Sequence, residues 1–377
     1  MRLIVFALGL VAAACATAET PLPVDAALEA AADEGMAKTN TPALAILEIR
    51  DGRPMREIVR GVREIGTREP VKPGDSWHIG SNAKPITATL IAMLVEQGKL
   101  RWDSRLEELL PGFASTMRPE LRDVTVLDLA THQSGLSPLM GEALLEPYYG
   151  NPRPLPEQRT SILKEVLTRE PTQPRGTYAY SNRGYILLGA IADRVGGKPV
   201  EQLFRDMIFR PLGMTTATFG PTSRGQPLGH EGGKAVLGPR QDNPPYATTA
   251  GTMRMSLGDW ARWAIDQMKG ERGGGKLLKP ASYRFLHTAQ LSPPGRKTAL
   301  TPGWGVRSES YGRILTHTGS NGLWFAVIAL APDLQNGILT ATNSAEDMKG
   351  ELAGDPAFYL VTGRWKQQGQ GAAAGGR

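Results

Sequence analysis

The sequence predicts an α/β (α+β) fold: one antiparallel sheet built from both ends of the chain and flanked by helices, with an all-helical lobe inserted between. Three observations predict it. Asp51-Gly52 sits between two apolar runs, a strong hairpin signal near the start. The last third alternates short apolar segments with turns such as Ala331-Pro332-Asp333. The middle of the chain carries apolar residues mostly at helical spacing. With 377 residues, 41% of them hydrophobic, the chain is long enough for one large core or two lobes.

The first residues read as a leader. Arg2 supplies a positive charge, Leu3 to Ala13 is an apolar run, and Ala16-Thr17-Ala18 is a small-residue cleavage site before Glu19. This predicts a cleaved signal peptide over residues 1–18 and a periplasmic or secreted protein. The run is too short to span a bilayer comfortably. Cys15, which follows Ala12-Ala13-Ala14, offers the alternative of a lipoprotein anchored there. Cleavage after Ala18 removes the single cysteine, so the mature domain, residues 19–365, has no disulfide or thiolate metal site. No later stretch reads as a stable membrane span. The net charge of +6, or +5 without Arg2, is scattered. It implies mild attraction to anionic surfaces, and no nucleic-acid motif accompanies it.

Thr41 to Val62 reads as two antiparallel strands around the Asp51-Gly52 turn. The clearest helix begins at Ser81 and ends at Gly98, with Ile86, Leu90, Met93 and Leu94 on one side. Helices and long loops fill the inserted lobe, roughly 103–250. They include Val126 to His132 and a segment from Tyr185 stopped by Gly196. Residues 218–247 read as loop. Ser256 caps a helix reaching Met268, with Asp259 three residues on. Gly303–Val306, Arg313–His317, Trp324–Ala331 and Gly337–Asn343 read as strands. Residues 366–377, rich in Gln, Gly and Ala, read as a disordered tail.

Three motifs carry chemistry. In Ser81-Asn82-Ala83-Lys84 the helical spacing puts the Ser81 hydroxyl and the Lys84 amine on one face. Ser81 also lies at a helix start, where free N–H groups favour a developing anion. A serine is a poor nucleophile until a neighbour takes its proton, which a neutral lysine can do. The pattern alone is weak: Ser161-Ile162-Leu163-Lys164 repeats it, and there Ser161 reads as a helix cap. In Tyr180-Ser181-Asn182 the phenol can act in proton transfer and the Asn182 amide can bond a lysine and a substrate carbonyl. A plain helix cap accounts for the same residues. In His317-Thr318-Gly319-Ser320, small residues at a strand end let a substrate lie against the backbone. The N–H after Gly319 can pair with that of Ser81 as an oxyanion hole.

In this order and spacing the motifs resemble those of the serine β-lactamase/penicillin-binding protein family, and most of all its branch of class C β-lactamases, D-Ala-D-Ala carboxypeptidases and family VIII esterases. Ser81 and Lys84 match Ser-x-x-Lys, Tyr180 and Asn182 match Tyr-x-Asn, and His317-Thr318-Gly319 matches Lys-Thr-Gly with one departure. His132-Gln133-Ser134-Gly135-Leu136, Pro211-Leu212-Gly213-Met214 and Ala250-Gly251-Thr252 are similar too, so the resemblance runs from about Val24 to Gly363. It implies an active site between an α/β lobe and a helical lobe, and two-step acyl transfer. Ser81, Lys84 and Tyr180 would be catalytic; Asn182, His317, Thr318, Gly319 and Ser320 would bind substrate. No metal or organic cofactor is implied. The substrate would be a small molecule or derived from peptidoglycan, with an ester, amide or β-lactam carbonyl.

His317 is the departure. The family's lysine there helps hold a substrate carboxylate, and a histidine is mostly neutral near pH 7. This tilts the expectation toward an esterase, with Arg307 and Arg313 as cations able to compensate. The alternatives are a class C-type β-lactamase or D-Ala-D-Ala carboxypeptidase, and a non-catalytic penicillin- or peptide-binding relative. A Ser-His-Asp hydrolase is disfavoured by the lack of a Gly-x-Ser-x-Gly elbow, and a zinc hydrolase because His230-Glu231 has no second histidine at helical spacing.

Overall fold

The computed structural model describes residues 25–137, 145–222 and 225–375. The expected signal peptide, residues 1–18, lies outside them.

After helix α1 (Ala26–Ala37) the chain enters β1 (Ala43–Arg50), turns, and returns as β2 (Arg53–Pro54) and then β3 (Ile58–Gly61). Asp51 and Gly52 have φ of 51° and 67°, the left-handed pair that a two-residue hairpin needs. A short strand, β4 (Trp77–His78), leads to helix α2 (Ala83–Glu96). The middle of the chain holds helices α3 (Leu155–Thr168) and α4 (Asn182–Gly196) and the short strands β5 (Thr218–Phe219) and β6 (Met253–Met255). Helix α5 (Leu257–Gly270) follows, then β7 (Ala299–Thr301), β8 (Trp304–Glu309), β9 (Gly312–Ser320), β10 (Phe325–Ala331) and β11 (Asn336–Thr342), and finally α6 (Asp355–Gly375).

The main sheet has the order β2-β1-β11-β10-β9-β8-β7, with β3 also on β1. Its pairings are antiparallel, and β1 lies against β11 from Leu44↔Thr342 to Ile49↔Gly337. The two ends of the chain thus form one sheet, as the sequence predicts. Ala43, Ala45, Leu47 and Ile49 enter the larger core, while Leu44 and Ile46 enter a second one with α1 and α6. A strand covered on both faces reads as a continuous apolar run, which is what Ala43 to Leu47 is.

Two local readings are corrected. The expected disordered tail is helical to Gly375. Trp365 is buried, the Gln368 amide oxygen accepts from Asn336 at 2.9 Å, and Gly369 backs directly onto Tyr311. Such long-range contacts override a composition that by itself favours disorder. Ser161 is not a cap: α3 starts at Leu155 behind Pro154, and Ser161 Oγ donates to the Glu157 carbonyl at 3.1 Å inside the helix. Helix α4 ends at Gly196 as expected, with Gly197 (φ 69°) as its left-handed cap. Ser256 does cap α5, accepting from the Asp259 N–H at 3.2 Å.

The helical part is locked by Arg159, whose side chain is fully buried. Its guanidinium donates to Asp193 at 2.6 and 2.9 Å and to Glu201 at 2.8 and 3.1 Å. Replacing Arg159 by Met removes the shared cation and leaves two buried carboxylates. Urea unfolding is expected to show a loss of about 3–5 kcal/mol; an unchanged midpoint would mean that water already solvates the cluster.

Candidate active site

Strand β4 runs into a tight turn, Gly80–Asn82, from which α2 starts. Gly80 has φ 51°. A Cβ there would lie against Ser320 N and 2.6 Å from the Gly319 carbonyl carbon, and one on Gly319 would lie 2.6 Å from Ser81 N. Glycine at both positions lets the turn and the end of β9 touch backbone to backbone. That approach brings the amides of Ser81 and Ser320 to one place. The Asn82 amide nitrogen fixes the turn to the sheet, donating to the Ile79 carbonyl at 2.8 Å and to the Ala326 carbonyl at 3.0 Å.

The half-buried Ser81 Oγ lies 2.8 Å from Lys84 Nζ and 2.7 Å from the Tyr180 hydroxyl. Helical spacing brings Lys84; Tyr180 comes from the loop before α4. Lys84 is fully buried and its Nζ also donates to the Ala250 carbonyl at 2.7 Å. No carboxylate pairs with it among the described residues. Its amine lies 5.0 Å from the Tyr180 ring centroid and 5.5 Å from that of Tyr185. Burial pushes the Lys84 ammonium well below its ordinary value, toward the free amine. Burial also pushes the Tyr180 phenol up to about 12, against the hydrogen bond to Ser81. Lys84 is therefore the easier group to hold as a base, and Tyr180 the easier to hold as an O–H donor.

Two residues not assigned to the site from sequence complete this box. His132, in the left-handed conformation (φ 60°), packs its ring at a tilt against Tyr180 at 4.5 Å and Tyr185 at 5.3 Å. Its Nδ1 accepts from the Ser181 N–H at 3.1 Å. Burial first, then the Lys84 charge, pushes it well below the ordinary imidazole value, so it is uncharged. Tyr185 is fully buried and donates to the Ala130 carbonyl at 2.7 Å. The His132 segment already stood out by its resemblance; Tyr185 looked like one more apolar residue of α4.

The other expected site residues divide. Asn182 opens α4, but Ser181 supplies the cap, and the Asn182 amide makes no hydrogen bond among the described residues. The hydrogen bonds of Lys84 Nζ go to Ser81 and Ala250 instead. His317 and Thr318 line a cleft of about 340 Å³ together with Tyr178, Tyr180 and Arg296. His317 Nδ1 is 2.6 Å from the Thr318 carbonyl, so Nδ1 carries the proton and Nε2 a lone pair. Desolvation, then the Lys84 charge, pushes His317 down to about 3. It contributes no positive charge at neutral pH.

Neither arginine expected to compensate reaches the cleft. Arg313 is engaged by Glu271 at 3.1 and 2.9 Å and by Asp333 at 3.2 Å, and Arg307 lies 3.6 Å from Glu309. The cation that does line it is Arg296, held 4.6 Å above the Tyr178 ring. It sits in a Pro-Gly loop whose sequence carries no pattern. No cluster of three or more His, Cys, Asp or Glu suited to a metal ion occurs among the described residues, and no helix among them is long and apolar enough to cross a membrane.

A hydroxyl joined to a depressed amine and a phenol, beside two neighbouring backbone amides, has what an acyl-transfer nucleophile needs. Comparison with known proteins bears on the same point. The sequence model of the Beta-lactamase family matches residues 28–358. The chain is 26% identical over 298 residues to the D-alanyl-D-alanine-carboxypeptidase/endopeptidase AmpH of Escherichia coli (strain K12), covering 75% of each. It is 26% identical over 293 residues to the unguisins hydrolase ungD' of Aspergillus campestris (strain IBT 28561), covering 73% of this chain and 53% of that one. The structure of the octameric penicillin-binding protein homologue from Pyrococcus abyssi superposes with a TM-score of 0.74 at 26% identity, covering 89% of this chain and 77% of that one. The chain spans 53%, 56% and 62% of the length of the first three curated relatives it matches.

Proposed function

The chain belongs to the Beta-lactamase family, with its β-lactamase/transpeptidase-like fold, and from that membership we propose that it is a serine hydrolase acting through an acyl-enzyme on Ser81. The observation that carries this is the pair of hydrogen bonds converging on Ser81 Oγ, at 2.8 Å from Lys84 and 2.7 Å from Tyr180. Neutral Lys84 takes the Ser81 proton as the oxygen attacks a carbonyl carbon. The N–H groups of Ser81 and Ser320 hold the resulting oxyanion. The Tyr180 hydroxyl passes a proton to the leaving group as its bond to the acyl carbon breaks, and is restored from Lys84. Water, losing its proton to the same pair, then releases the acid and free Ser81.

The preferred substrate in this reading is an uncharged ester, because His317 brings no charge to the place where the Lys-Thr-Gly motif it resembles has a lysine. A β-lactam or D-Ala peptide carboxylate would depend on Arg296 instead. The apolar run and the Ala16-Thr17-Ala18 site support the further reading that the protein works outside the cytoplasm.

Purified protein is tested side by side on a short-chain p-nitrophenyl ester and a chromogenic cephalosporin. The ester is expected to be turned over with the higher kcat/KM. Arg296→Ala is expected to raise KM for the cephalosporin by about tenfold, the loss of one charge-assisted contact, and to leave the ester unaffected. Faster cephalosporin turnover by wild type would favour the β-lactamase reading; equal effects of Arg296→Ala on both substrates would remove its role.

A further inference from the structure

The segment between β5 and β6 contains three consecutive polar residues, Gln241, Asp242 and Asn243, and each bonds a different part of the site. The Asp242 carboxylate, nearly fully buried, lies 2.7 Å from His78 Nε2. The other nitrogen of that ring, Nδ1, accepts the Gly80 N–H at 3.1 Å. Since Nδ1 accepts, the ring proton is on Nε2 and is donated to Asp242. His78 is itself 2% exposed and stacks against Trp324. Asn243 Nδ2 donates to the Gly251 carbonyl at 2.6 Å, one residue after the Ala250 carbonyl that takes Lys84 Nζ. Gly251 in turn packs on the Gly80 peptide: a Cβ there would lie 3.3 Å from the Gly80 carbonyl. The Gln241 carbonyl accepts from Asn321 Nδ2 at 3.0 Å, one residue after Ser320.

We propose that Gln241-Asp242-Asn243 is a positioning strap: through His78, Gly251 and Asn321 it sets the Ser81 turn, the acceptor of Lys84 and the end of β9 relative to one another. None of the three touches the Ser81 hydroxyl. The strap acts on the distance between the Ser81 and Ser320 amides, so its loss reaches the acylation rate before it reaches substrate binding. The strap rests on the acyl-enzyme reading above.

His78 allows the two bonds of its ring to be separated. Asn at position 78 puts an oxygen near the place of Nδ1 and keeps an acceptor for the Gly80 N–H. Gln puts an N–H near the place of Nε2, keeps a donor for Asp242, and leaves Gly80 without its acceptor. The test measures kcat and KM on the p-nitrophenyl ester and thermal unfolding by circular dichroism for wild type, Ser81→Ala, His78→Asn and His78→Gln. The expected result is a kcat for His78→Gln lower by up to about 100-fold, as for a small misplacement of reacting groups, with KM within about twofold of wild type. His78→Asn is expected to recover most of that loss. Asn321→Ala, half-buried at the strand end, cuts the bond to Gln241 without touching His78, and with it the bond that Asn321 Oδ1 accepts from the Leu323 N–H at 3.2 Å. It is expected to lower kcat several-fold at constant KM, and it carries the test if a His78 variant does not fold.

Ser81-dependent turnover with His78→Asn and His78→Gln equally impaired, in step with their melting temperatures, would overturn the strap and leave the acyl-enzyme reading standing. Unchanged kcat in both His78→Gln and Asn321→Ala would overturn it as well. Wild-type protein with no Ser81-dependent turnover would overturn the reading beneath it and the strap together.

Discussion

Replacing Ser81 by Ala is expected to lower kcat on any substrate by about ten-thousand-fold or more, the scale seen when the nucleophile of a concerted set is removed. The change deletes one oxygen from a half-buried position, so the melting temperature is expected to stay close to that of wild type. Lys84 and Tyr180 lose their common partner, yet Lys84 keeps the Ala250 carbonyl. Steady-state assays with a stopped-flow check for a burst measure the loss. A variant retaining even a tenth of wild-type turnover would mean that another group attacks the carbonyl.

Lys84→Met is the second large effect. Methionine matches the shape of the lysine stem but offers neither proton acceptor nor donor. Loss of a general base costs about a hundred- to ten-thousand-fold, and kcat is expected to fall within that range. The pH dependence gives an independent reading. Burial disfavours the charged form of Lys84 in the folded state, so the unfolded chain binds the extra proton between the depressed folded pKa and the ordinary lysine value of 10.5. Wild-type stability therefore rises with pH across that window, and Lys84→Met is expected to lose that component of the slope. The acid limb of kcat/KM, which rises as the Lys84 amine loses its proton, is expected to vanish in the same variant. A limb retained in Lys84→Met would assign the titration to another group.

What was legible in the sequence follows the range of the interactions involved. The Asp51-Gly52 hairpin and the Ser256 cap depend on neighbours in the chain, and both could be read directly. Ser81 and Lys84 meet because helical spacing brings them together. Tyr180, 99 residues from Ser81, could be joined to them only through the family resemblance. Nothing in Tyr-Ser-Asn itself distinguishes it from a helix cap, and the cap is present as well, on Ser181. The failures are long-range in origin. A Gln- and Gly-rich tail is helical because Trp365 and Gln368 find partners far back in the chain. Arg307 and Arg313 looked available by position, yet Arg313 is held by Glu271 and Asp333, while Arg296 reaches the cleft from an unpatterned loop. Residues 241–243 read only as polar loop, since each bond they make runs to a different, distant segment.

The central claim is that Ser81 is a nucleophile activated by Lys84. A fluorophosphonate probe, which is attacked by an activated serine and stays bound to it, tests this most directly. Wild-type protein is treated with the probe, digested, and its peptides mapped by mass spectrometry. The account predicts one adduct, on Ser81, absent from Ser81→Ala and formed far more slowly in Lys84→Met. No adduct, or an adduct on a different serine that persists in Ser81→Ala, would contradict it.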